Sequence, residues 1–86
     1  MSSFIKLIQK LVYEPNNVDI NDVRRLLEYF GYTEKKKPGS ERVFHKKGSN
    51  PIIVPTVKGR HVKAFYVKRI VKILELEAYL EGNERA

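Results

Sequence analysis

Glu41 and His45 stand four residues apart in the run Gly39-Ser40-Glu41-Arg42-Val43-Phe44-His45-Lys46-Lys47-Gly48, and His61 follows in Lys58-Gly59-Arg60-His61-Val62-Lys63. A carboxylate and an imidazole could share proton-transfer work near neutrality. Alternate residues of a strand share a face, so Glu41, Val43 and His45 would point the same way and allow such a pair. The plainer reading of His45 is an exposed strand histidine with no role. His61, in a loop ahead of the last helical stretch, is better placed to contact a phosphate than to abstract a proton. Ser40 has no base-orienter arrangement around it and reads first as a turn serine.

The other chemistry on offer is cationic. Residues 34–69 hold eleven Lys and Arg against two Glu, while the rest of the chain holds six against eight acids. The chain is therefore a nearly neutral scaffold with one basic surface. Its clusters are Lys35-Lys36-Lys37, Lys46-Lys47, and Lys58, Arg60 and Lys63; if they converge, a polyanion is the natural ligand. A solvated lysine-rich loop is the bland reading of any one of them. Tyr32, Phe44, Phe65 and Tyr66 could stack on bases, although core or rim packing is the default for each.

Several chemistries are excluded. There is no cysteine, hence no disulfide framework and no thiolate nucleophile or metal ligand. Two histidines and scattered carboxylates show no metal-ligand spacing. Gly39, Gly48 and Gly59 are isolated turn glycines, not a nucleotide-binding loop, so no cofactor is expected. Lys6, Gln9 and Lys10 interrupt the apolar N-terminal residues, leaving neither a signal-peptide core nor a membrane span. These features together fit a cytoplasmic protein.

Eighty-six residues imply a single domain with a modest core. Phe4, Ile8, Leu11 and Val12 recur at helical spacing over residues 3–13, with Ser2 or Ser3 as cap. Pro15-Asn16-Asn17 breaks that helix, making 1–17 an extra N-terminal helix and linker. Asp19 offers the next cap, with Val18 and Val23 as a hydrophobic staple, and Gly31 ends the second helix. Three strands follow, over 32–37, 42–46 and 52–55, separated by Pro38-Gly39-Ser40 and Gly48-Ser49-Asn50. From about Ala64 one helix, facing inward through Val67, Ile70, Val71, Leu74 and Ala78, is predicted to run to Gly82-Asn83. The expected fold is α+β, a three-stranded antiparallel sheet packed on helices: an αβββα core over 18–80 and a frayed tail over 81–86.

The order Gly-Ser, apolar strand, turn, Ile-Val-Pro strand, then Lys-Gly-x-x-x-Lys before a helix resembles the HicA family of toxin-antitoxin systems over roughly residues 18 to 76. The resemblance implies a double-stranded-RNA-binding-domain-like (dsRBD-like) fold and an mRNA interferase, an endoribonuclease that needs no metal. It also implies messenger RNA and a HicB-like antitoxin as partners. Candidate RNA-binding residues are then Lys35, Lys36, Lys37, Ser40 and Arg42, with Lys46, Lys47, Lys58, Arg60, His61 and Lys63. In that family the residue after Gly-Ser is the catalytic histidine, and here it is Glu41. Glu41 could itself serve as base, could mark a natural loss of activity, or could be an introduced inactivating substitution; His45 is a candidate stand-in. The competing readings are a non-catalytic RNA-binding module that shares only the fold, and a domain whose basic face meets an acidic protein.

Overall fold

The computed structural model describes residues 2–36, 39 and 41–85, and the side chains of residues 4–35, 39 and 41–82. The element order is α1 (Ser2–Tyr13), a 3-10 turn (Pro15–Asn17), α2 (Ile20–Tyr29), β1 (Thr33–Lys36), β2 (Glu41–His45), β3 (Ile52–Pro55), α3 (Ala64–Ile73) and α4 (Leu76–Arg85). The three strands form one antiparallel sheet in the order β1-β2-β3. The fold is α+β, as expected.

Local chemistry explains the boundaries of α2. Asp19 caps it through a reciprocal capping box: its carboxylate accepts from the Asp22 amide at 3.0 Å, and that of Asp22 accepts from the Asp19 amide at 3.2 Å. Val18 and Val23, the two halves of the predicted staple, are both buried. At the other end Gly31 takes φ +89°, and the Tyr32 amide donates back to the Leu27 carbonyl at 2.9 Å, closing the helix with the left-handed residue that favours glycine.

One core joins every layer. Phe44, Ile52 and Val54 point from the inner face of the sheet into the same cluster as Leu7, Ile8 and Leu11 of α1, Leu26 and Leu27 of α2, and Val67 and Ile70 of α3. The pairing register places Glu34, Phe44 and Ile52 in one cross-strand row and Lys35, Val43 and Ile53 in the next, on the opposite face. Of the two apolar residues of β2, Phe44 therefore faces the helices. Val43 lies on the outer face yet is buried, flanked by Lys35 and Ile53.

The single C-terminal helix predicted from Ala64 is in fact two. Glu75 adopts φ +53° and separates α3 from α4. On a continuous helix Leu76 and Leu80 would lie about 180° and 220° from Val67, facing water. The break turns both inward, to full burial for Leu76 and 2 % exposure for Leu80, and leaves Ala78 exposed. A non-glycine left-handed residue costs roughly 1–2 kcal/mol, whereas burying two leucines gains about 3–6 kcal/mol. Burial wins. α4 packs on α1 and α3 and continues to Arg85, past the expected stop at Gly82-Asn83 and through residues 81–85 where fraying was expected.

Candidate nucleic-acid interface

The meander determines which basic clusters meet. Successive turns of an antiparallel meander fall at opposite ends of the sheet, so the β1–β2 connection and the exit of β3 share one end, and the β2–β3 turn lies at the other. Glu41 pairs with Pro55 in the register, at the end where β3 leads into Val57-Lys58-Gly59-Arg60. His45 pairs with Thr33 at the far end. Lys46 and Lys47 follow His45 there, so the expected convergence of three clusters is corrected: that pair lies at the opposite end of the sheet from Lys58, Arg60 and Lys63. Lys46 instead places its Nζ 5.6 Å from the centre of the Tyr32 ring. Lys37 and Ser40 lie outside the described residues, as does the side chain of Lys36.

The same geometry removes the Glu41 and His45 pair. Four residues of strand span about 13 Å, far beyond a hydrogen bond, although both side chains are exposed and share a face across Val43. His61, also exposed, is the histidine at the Glu41 end.

Arg42 is a second correction. It lies on the inner face, in register with Val54, and its Nε is buried 3.5 Å from Glu34 Oε2. The same carboxylate accepts from Arg24 Nε at 2.6 Å, so Glu34 ties α2 to β1 and β2. Arg42 holds the hairpin that carries Glu41 and does not project toward a ligand on the outer face.

The segment after β3 is held tightly. Arg60 donates its amide to the Val57 carbonyl at 3.1 Å, closing a turn in which Lys58 and Gly59 have φ +55° and +72°. The Ile20 amide donates to the Arg60 carbonyl at 2.7 Å and the Val62 amide to the Val18 carbonyl at 3.1 Å. These bonds fasten the turn to the entrance of α2, presenting Lys58, Arg60, His61 and Lys63 in water on a fixed backbone. Lys63 is the N-cap residue of α3, and no side chain caps that helix start.

The structure adds cations that the sequence reading passed over. Lys68, Arg69 and Lys72 are exposed and share one face of α3 at i, i+1 and i+4 spacing, opposite Val67, Ile70 and Val71. From residue 46 to residue 74 the chain contains eight Lys and Arg and no Asp or Glu. All eight are exposed, and the ion pairs found among the described residues involve only Lys10, Arg24 and Arg42. The signal was present in the sequence as basic residues recurring on the polar face of a helix whose apolar face had been identified.

Among the described residues no group of three His, Cys, Asp or Glu is placed to hold a metal ion, and no helix is long and apolar enough to cross a membrane. Comparison with protein-family models, curated proteins and solved structures found no match.

Proposed function

We propose that the protein binds RNA through the end of the sheet that carries Glu41 and the exposed face of α3, on a HicA-like, dsRBD-like ribonuclease scaffold. One observation carries the proposal: Lys58, Arg60, Lys63, Lys68, Arg69 and Lys72 are all exposed along one turn and the helix that follows it, and among the described residues none of the six is in an ion pair. Exposed charge of one sign along a turn and a helix face repels itself, and a polyphosphate backbone relieves that repulsion. Lys58, Arg60, Lys63, Lys68, Arg69 and Lys72 supply the phosphate contacts.

Glu41 occupies the position that the resemblance gives to a catalytic histidine. It is exposed, at the cation-lined end, and so is His61. A base there would take the ribose 2'-hydroxyl proton as that oxygen attacks phosphorus, the neighbouring cations would stabilise the phosphorane, and the 5'-oxygen would leave with a proton from an acid or water, giving a 2',3'-cyclic phosphate. In this reading the chain is a toxin scaffold whose cleavage is lost at Glu41, and a HicB-like antitoxin with an acidic face is the partner that competes with RNA for the cations. The test is cleavage of a long single-stranded RNA with a chelator present, comparing the chain with Glu41→His. Cleavage by the histidine variant alone is the expected result. Salt-sensitive binding without cleavage by either would leave the non-catalytic RNA-binding module.

A further inference from the structure

Phe65 is 64 % exposed in the first turn of α3, two residues beyond Lys63. The core does not use it: α3 is buried through Val67, Ile70 and Val71, while Tyr66 packs against the core as a half-buried side chain. The ring of Phe65 is nonetheless held, with its centroid 5.1 Å from that of Tyr66 and the two planes at 86°. Four large aromatic side chains are exposed among the described residues, namely Tyr13, Tyr29, Phe65 and Tyr79. Of these, Phe65 alone falls within the acid-free stretch, and the helical period sets it on the face of Lys68, Arg69 and Lys72.

We infer that Phe65 is a base-stacking platform that makes the ligand an unpaired RNA strand in preference to a duplex. The inference rests on the RNA-binding reading and deepens it. Phosphates alone do not distinguish the two, since a duplex presents them as readily as a single strand and is read by shape and ribose contacts. A duplex hides its base faces in the stack. A single strand that follows the cations offers a base face to an ordered aromatic ring beside them, a contact every base can make. Solvent around the ring leaves room for that base, and the phosphates on either side of it reach Lys63 and the α3 stripe.

The experiment uses the full chain and two oligonucleotides of equal length, one unpaired and one as a duplex. Phe65→Leu keeps an apolar side chain but removes the stacking face. It should weaken binding of the unpaired RNA about 5- to 150-fold, leave duplex binding unchanged, and leave the salt dependence of both unchanged. Phe65→Trp restores affinity, and because the chain contains no other tryptophan, the quenching of its emission by unpaired RNA reports stacking directly. Equal losses for both ligands, or no loss and no quenching, overturn the inference while leaving RNA binding intact; a protein partner would then be the better occupant for Phe65. Failure of the unaltered chain to bind either RNA in a salt-dependent way overturns the RNA-binding reading as well.

Discussion

Replacing Glu34 with glutamine should destabilise the domain by about 2 kcal/mol. Glu34 is 10 % exposed and is approached by two guanidinium groups, from Arg24 at 2.6 Å and from Arg42 at 3.5 Å. Removing one member of a fully buried ion pair costs about 3–5 kcal/mol, and a hydrogen bond to a charged group contributes about 1.5–3 kcal/mol. The two arginine side chains are 28 % and 22 % exposed, so water compensates part of the loss and the estimate falls below the fully buried range. In a domain of this size such a loss lowers Tm by about 8–16 °C. Urea titration followed by circular dichroism measures it. The same logic predicts that Arg24→Met, Glu34→Leu and Arg42→Met together come within about 1 kcal/mol of the unaltered protein, since no unpaired charge remains. A loss below about 0.5 kcal/mol for Glu34→Gln, or a triple variant no better than the single one, would refute the assignment of Glu34 as the tie between α2 and the hairpin.

Two further predictions concern α4 and pH. Leu80→Ala should cost about 2–4 kcal/mol, whereas Glu75→Gly should stabilise by up to about 1 kcal/mol because it removes the left-handed strain; equal effects of either sign in thermal melts would contradict the two-helix account. Hydrogen bonding to Asp22 holds the Lys10 ammonium above the ordinary lysine value of 10.5. A raised folded-state value means that the pair's contribution is present below that pH and lost as pH rises through the raised value. Lys10 is 35 % exposed, so the difference in stability between the chain and Lys10→Met should be at most about 1 kcal/mol near pH 8, and should shrink as pH rises through the raised value.

How much of this was legible in the sequence differs by residue. Asp19 and Gly31 announce the limits of α2 because capping and left-handed backbone are local chemistry, set by one residue and its near neighbours. The turn compositions gave the three strands for the same reason. The break at Glu75 was hidden because Val67, Ile70, Val71, Leu74 and Ala78 satisfy a helical period without it. What decides the break is the burial of Leu76 and Leu80 against α1, a contact made only in the folded chain. Arg42 looked like a free cation because its neighbours in sequence are basic turns, while its partner Glu34 reaches it across the sheet. Lys46 and Lys47 join Lys58 only if the meander brings its turns together, whereas successive turns alternate between the two ends of the sheet and keep them apart.

If the exposed cationic face binds an RNA backbone, affinity must depend on salt, and that dependence is the most direct test. If all six of Lys58, Arg60, Lys63, Lys68, Arg69 and Lys72 contact phosphates of a single strand, the logarithm of affinity should fall with the logarithm of salt at a slope of about −4, and Arg69→Ala with Lys72→Ala should reduce it by about 1.4. A slope near zero, or one that the double variant leaves unchanged, would contradict the account.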